Sequence, residues 1–274
     1  MNSLNIETGS GDFAIKNITT PQTLTAIGGG ATLEDAGYIF ESLNFKTATG
    51  NFDLSGVSNI KLTGGKINIE AGSANFNFDK INAATNITAN YFKLTANEIN
   101  SGADGFYFNS PQGVFTIDTL NSTGSNTIIT ENMNITIKNV YGDSTFKSTY
   151  GNISIDNLYN DAILETTNGF INVKAANGDI RATSKYGNIK IEAYKQKAVF
   201  NNQFGTIDVT YTGVKSVATA TNKTIITSTD GSITAKNLYN LTEITTNGIA
   251  AVNVTFDEMV TNSAVNHKIT VGNG

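Results

Sequence analysis

The run Thr149-Tyr150-Gly151-Asn152-Ile153-Ser154-Ile155-Asp156-Asn157-Leu158 decides the fold, because it returns. Eighteen residues on, the chain reads Thr167-Asn168-Gly169-Phe170-Ile171-Asn172-Val173, and eighteen further on Lys185-Tyr186-Gly187-Asn188-Ile189-Lys190-Ile191. The interval is constant enough to draw as columns. Ile135, Ile153, Ile171, Ile189 and Ile207 form one, and Ile137, Ile155, Val173, Ile191 and Val209 form a second two residues behind it. Gly151, Gly169, Gly187 and Gly205 precede the first column by two. A fixed period of this kind marks a repeat architecture. Apolar and polar residues alternate within each copy, and β-branched residues dominate, as in strands with one buried face. The reading is all-β: a single-stranded parallel β-helix, or β-solenoid, with about 18 residues per coil.

The same unit, Gly-x-(Ile/Phe)-x-(Ile/Leu)-x-x-(Ile/Leu/Val), recurs outward from this core at Gly11–Ile18, Gly50–Val57, Gly113–Leu120 and Gly231–Leu238. A second strand is expected in the other half of each coil, with the column Phe146, Leu164, Ala182, Phe200 and Ala218. Its neighbours two residues earlier are Ser144, Ala162, Ile180, Ala198 and Ser216. The glycines before the strands serve either to supply a positive φ or to let backbones approach closely. Between Gly205 and Gly231 the step grows to 26 residues, which implies an extra half-coil or a loop, with strands at Ala218–Thr221 and Thr224–Thr227. Residues 26–46 fit the pattern poorly, and Glu34–Gly37 reads as a loop. The chain is read as one elongated domain, 1–274, with less regular capping regions at 1–50 and 255–274. Right-handed winding follows from the crossover rule for parallel strands.

Composition narrows the function classes. The 274 residues are 39% hydrophobic and 15% charged, with a net charge of −5 and a single arginine, Arg181. Nucleic-acid binding requires a basic face, which is missing. The absence of cysteine removes disulfides, thiolate nucleophiles and cysteine metal sites. No stretch approaches the roughly 20 apolar residues of a membrane span. The amino-terminal residues Met1–Glu7 lack the basic and apolar regions of a signal peptide. The expected location is the extracellular face or cell envelope of a bacterium, the leader or anchor lying outside this sequence, with a cytoplasmic chain as the alternative.

The copies Thr149–Ile155, Thr167–Val173 and Ala176–Ile180 resemble the adhesin-type "toastrack" family of bacterial β-strand-repeat proteins, which writes Thr-Ser-Ser-Gly-Asp-Ile-x-Val repeatedly. The resemblance is closest over about 133–250 and looser from residue 8 onward, and Gly-Asn often stands here for the usual Gly-Asp. It implies a parallel β-helix-like fold on a bacterial envelope and brings no catalytic residues with it.

No catalytic constellation emerges from the residues themselves. A lyase or hydrolase on a β-helix would gather carboxylates on one face, whereas Asp156, Asp179 and Asp208 are spread between coils. The only histidine, His267, reads as an exposed tail residue between Asn266 and Lys268. The pair Asp257-Glu258 reads as surface, so neither a metal nor a cofactor is expected. Asn139 and Asn157 are placed to begin an amide ladder. Aromatics are the candidate ligand-facing residues: Tyr150, Tyr186 and Phe204 in one column, with Asn168 between, and Tyr141 and Tyr159 in another. Their alternative role is to stabilise turns by stacking. The expected function is a non-catalytic, monomeric surface scaffold that meets a glycan or a protein. A polysaccharide-active β-helix enzyme and a self-assembling structural scaffold are the alternatives.

Overall fold

The computed structural model describes residues 3–7, 13–16, 22–27, 31–34, 39–54, 60–213, 223–238, 241–248, 251–256 and 267–272, with side chains from residue 67 onward except 74–79. The chain divides into two compact units, Met1–Asp143 and Ser144–Gly274. Among the described residues, the regular elements are strands apart from the short 3₁₀ turn Gly102–Asp104. In the second unit each strand pairs in parallel with the strand one full coil away rather than with its sequence neighbour. This is the β-solenoid that the period of eighteen implies.

In the second unit Ile153 pairs with Ile171, Ile171 with Ile189, and Ile189 with Ile207. All four are buried, as are Ile155, Val173, Ile191 and Val209 two residues behind them. Each such side chain contributes roughly 1.5–3 kcal/mol through removal from water. The opposite side is built from Ser144–Ser148, Ala162–Thr166, Ile180–Ser184 and Ala198–Asn202. There Phe146, Leu164, Ala182 and Phe200 fall in register and are fully buried. The small Ala182 lies between the large Leu164 and Phe200, so neighbouring coils fill one another's space.

The fifth member of that column differs from expectation. Phe200 pairs with Ile226, and Ala198 with Thr224; Ile226 then pairs with Ile244 and Ile244 with Ile269. Counting eighteen onward lands on Ala218 and Ser216, which lie outside the described residues, as does the strand expected at Ala218–Thr221. The 26-residue step from Ile207 to Ile233 thus still contains one strand of each side, Lys223–Ser228 and Ile233–Leu238. The additional residues fall between Tyr211 and Lys223, and the strands on either side pair directly with those of the preceding coil. Residues 26–46 are also more regular than their sequence suggests, lying largely in Gln22–Ile27, Ala31–Glu34 and Ile39–Leu54.

In the first unit the extended run Ile60–Asn100 carries two sides. Thr85–Thr88 pairs with Phe106–Asn109, and Tyr91–Asn100 with Gln112–Asn121. Phe106 pairs in turn with Asn126, and Phe115 with Ile135. The repeat here is therefore 21 and then 20 residues. An aromatic core fills it: the rings of Phe92 and Phe108 lie 5.7 Å apart and those of Phe108 and Phe115 4.9 Å apart, both edge to face. The longer coils turn through glycines with positive φ, Gly102 at 63° and Gly105 at 76°, a conformation that side chains with a Cβ resist.

The glycine column of the second unit works differently. Positive φ is confined, among the described glycines, to Gly102, Gly105, Gly113 and Gly142. At Gly187 a Cβ would collide with the carbonyl oxygen of Gly169, and the same relation links Gly169 to Gly151 and Gly205 to Gly187. Close approach of stacked backbones, and not backbone conformation, selects glycine there.

Candidate ligand-facing surface

Two corners join the two sides of each coil, and they are built differently. The corner that carries the glycine column is held by side chains three residues before each glycine. Ser148 Oγ accepts from Gly151 N (2.9 Å), Thr166 Oγ1 from Gly169 N (3.0 Å) and Ser184 Oγ from Gly187 N (3.0 Å). Each hydroxyl also reaches back one coil: Thr166 donates to Gly151 O and Ser184 to Gly169 O, while Asn202 Nδ2 donates to Gly187 O at 2.6 Å. These polar groups are buried, where an unpaired donor or acceptor would be costly. A second tie lies outside them. Asn152 Oδ1 accepts from Phe170 N (2.9 Å) and Asn188 Oδ1 from Thr206 N (2.8 Å). Where Asn follows the glycine, at Asn152 and Asn188, its side chain is thus an acceptor for the next coil.

Tyr150, Asn168, Tyr186 and Phe204 each stand immediately before one of these glycines. Their backbones are bound from coil to coil: Asn168 N donates to Thr149 O, Tyr186 N to Thr167 O and Phe204 N to Lys185 O, at 2.8–3.0 Å. The side chains point outward; Tyr150 is 57% exposed, Tyr186 50% and Phe204 46%. The Tyr186 and Phe204 rings stack with centroids 5.2 Å apart and planes 8° from parallel. Lys185 Nζ lies 5.1 Å from the Tyr186 ring centre, within cation–π reach. Phe170, 44% exposed, stands just after Gly169 at the same corner.

Tyr159 belongs to the other corner of the second unit, between Ile153–Leu158 and Ala162–Thr166. Tyr141, in the first unit, ends Ile135–Tyr141 in register with Asn121. Both are exposed. Of the five aromatics singled out from the sequence, the structure stacks two, Tyr186 and Phe204. Phe170 and Lys185 were missed: neither repeats at eighteen residues, and the period was the signal in use.

Asn121, Asn100 and Asn82 form an amide ladder in the first unit. Asn100 Nδ2 donates to Asn82 Oδ1 (2.7 Å) and Asn121 Nδ2 to Asn100 Oδ1 (3.1 Å). Asn139 Nδ2 donates to Thr119 Oγ1, one coil earlier, at 3.5 Å.

The carboxylates are engaged singly. Asp156 pairs with Lys174 (2.8 Å), Asp208 with Lys236 (3.7 Å), and Asp179 accepts from Lys197 N (3.2 Å). Lys147–Glu165 and Lys190–Glu192 add exposed pairs at 2.7 and 2.8 Å. The hydrogen bond to Asp156 raises the Lys174 ammonium above its ordinary value, and Glu192 does the same for Lys190. In the first unit, hydrogen bonds from Lys80 and then Asn100 hold the Glu98 carboxyl below the usual range. Tyr194 is the largest fully buried side chain; burial raises its phenol, and its hydroxyl meets Thr224 Oγ1 at 3.0 Å. It packs edge to face on Phe200 and Tyr211.

His267 is not the exposed residue expected. It is half-buried with its ring 4.5 Å from that of Phe256, and burial lowers its pKa. Its Nδ1 has no hydrogen-bond partner among the described residues. Asp257-Glu258 lies outside the described residues, and among those described no cluster of three metal-ligating side chains occurs. A cleft of about 380 Å³ opens in the first unit between Ala84–Thr88, Asp104, Gly105 and Tyr107. No helix among the described residues is long and apolar enough to cross a membrane.

A family model described as Toastrack DUF4097 matches residues 1–255. The chain belongs to the toastrack family. The match reaches well beyond the 133–250 segment in which the sequence pattern is plainest, and takes in the longer coils of the first unit. No curated protein and no solved structure matches this toastrack chain.

Proposed function

We propose that this toastrack protein is a non-catalytic binding scaffold on a bacterial cell surface, acting as an adhesin. The observation that carries the reading is the glycine corner. Its backbone is fixed by buried hydrogen bonds, yet it spends its outward positions on exposed aromatic side chains. Rings at a solvent-facing corner contribute little burial to the fold, and exposed aromatics on a rigid frame suit recognition. Repeat surfaces of this kind serve extended contacts.

The test is location and attachment together. An antibody against the chain should label intact cells of the producing bacterium, and deletion of the gene should lower attachment to the surface that the bacterium colonises. Labelling only after lysis would overturn the surface assignment.

The second reading, a polysaccharide-active enzyme, draws on the cleft of the first unit. Its lining supplies one carboxylate, Asp104, where glycoside hydrolysis by the common route uses two. That count favours binding over cleavage. Release of reducing ends from a polysaccharide panel, abolished by Asp104→Asn, would reverse the preference.

A further inference from the structure

We propose that the glycine corner of the second unit, from Tyr150 to Phe204, is a binding platform for an uncharged polysaccharide chain. The proposal rests on the surface-scaffold reading and names its ligand.

Three observations converge. The first is rigidity. Tyr186 and Phe204 hang from backbone nitrogens bonded to the preceding coil, and Gly187, which follows Tyr186, has its nitrogen held by buried Ser184 and its carbonyl by Asn202. The rings are therefore set in place before any ligand arrives, which limits the ordering cost of binding.

The second is the unevenness of the column, which reads ring, amide, ring, ring. Tyr186 and Phe204 satisfy one another by stacking, so stabilisation of the turn would account for that pair. It does not account for Tyr150. Tyr150 is the most exposed large apolar side chain among those described, and it stacks on no ring among the described residues. The shorter Asn168 separates Tyr150 from Tyr186, which stand two coils apart, about 10 Å at the strand spacing of a sheet. The gap presents an amide with a ring on either side. A pyranose offers the matching chemistry, apolar C–H faces for rings and hydroxyls for an amide.

The third is charge. The four corner segments 149–152, 167–170, 185–188 and 203–206 contain one charged residue, Lys185, and no carboxylate; apart from glycine the rest are Thr, Tyr, Phe, Asn and Gln. The charges of the flanking strands are paired with one another, as in Lys147–Glu165 and Lys174–Asp156. A corner of rings, amides and hydroxyls with a single cation matches a neutral glycan better than a polyanion, which would call for several basic groups. The lack of a carboxylate in these segments leaves no group to act as the acid or base of hydrolysis, so the ligand is held and not cut.

The experiment is affinity electrophoresis of the full chain in gels that contain hydroxyethylcellulose, glucomannan or dextran, with polygalacturonate as the anionic comparison. Retardation is expected in at least one neutral gel. Tyr150→Ala and the double variant Tyr186→Ala/Phe204→Ala should each weaken it about tenfold, while Tyr159→Ala, at the other corner, leaves it unchanged. Because the chain has no tryptophan, Tyr186→Trp gives a fluorescence reporter that should keep binding and shift its emission on addition of the retarding polymer. Melting curves confirm that the alanine variants are folded.

No retardation by any neutral polymer overturns the platform. Equal retardation of the folded ring variants does so too, and so does retardation by polygalacturonate alone that disappears with salt. The two proposals fail separately. If cells that display the ring variants attach as well as the parent, the platform is wrong and the adhesin reading stands. If deletion of the gene leaves attachment unchanged, the adhesin reading itself falls.

Discussion

The two corners of the coil obey different rules. Across the glycine corner the count is nearly constant: nine residues separate Ser144 from Ile153, Ala162 from Ile171, Ile180 from Ile189, Ala198 from Ile207 and Thr224 from Ile233, and ten separate Thr242 from Val252 in the last coil. The same nine separate Phe106 from Phe115 and Asn126 from Ile135 in the first unit. Across the opposite corner the count drifts. It is four from Leu158 to Ala162, six from Leu120 to Asn126, seven from Ile99 to Phe106 and thirteen from Tyr211 to Thr224. Apart from that tenth residue in the last coil and one residue lost within the strand Ile207–Tyr211, where the register shifts, the departures from the eighteen-residue coil over these stretches arise there. The lesson is that the period is a property of one corner. The glycine corner is fixed because carbonyls of one coil fill the place that a Cβ in the next would take, and because buried hydroxyls count three residues to each glycine. The other corner faces solvent and closes with whatever length it is given.

This contrast can be broken by insertion. Eight Gly/Ser residues placed between Tyr186 and Gly187 should abolish cooperative unfolding, because the corner has no slack. The same insert after Asn160 should cost on the order of 1 kcal/mol, since loop-closure entropy grows slowly with length. Equal melting of the two variants would erase the distinction. Next in size, Gly187→Ala should lose at least about 3 kcal/mol through backbone overlap with Gly169. Gly102→Ala, where a Cβ meets nothing and only the φ of 63° opposes it, should lose about 1–2 kcal/mol. Denaturant titration reads both.

Ser184→Ala leaves Gly187 N and Gly169 O without their buried partner and should cost about 1–3 kcal/mol; Ser184→Thr should restore most of it, because Thr166 performs the same task one coil earlier. Smaller again is a pH effect in the first unit. Glu98 has a folded-state pKa below its unfolded value, so its contribution is present above the ordinary carboxylate range and is lost as pH falls through the depressed value. Glu98→Gln should therefore flatten the acid limb of a stability–pH profile and leave it unchanged near neutrality except for the loss of the Lys80 pair. The smallest effect belongs to Lys147→Ala. The pair with Glu165 is exposed, and its loss should shift stability by no more than about 0.5 kcal/mol.

The Ile153–Ile207 column and the Phe146–Phe200 column could be read from the sequence because both corners between them hold their length. Ala218 was the wrong next member for the same reason: counting by eighteen passes straight through an insertion that leaves no local mark in the hydrophobic pattern. Ile226, which does pair with Phe200, would have been found by counting nine residues back from the next strand, since Thr224 stands nine before Ile233. The hydroxyl column Ser148, Thr166 and Ser184 also repeats at eighteen, but in a chain so rich in serine and threonine it does not stand out until the glycine nitrogens it binds are seen. Tyr194 was illegible. A tyrosine is at home inside or outside, and what admits this one is Thr224, thirty residues on and across the longest corner. The exposed rings at Tyr150, Tyr186 and Phe204 were legible as a column, though only the geometry separates them from Tyr159, which shares their residue type and not their corner.

The corner between Tyr211 and Lys223 carries one further implication. Strands on either side of it pair in unbroken register, so the pairing of the frame does not depend on the length of chain between them. An engineer can use that freedom: epitopes or tags spliced between Tyr211 and Lys223 should leave the pairing of Ala198–Asn202 with Lys223–Ser228 intact.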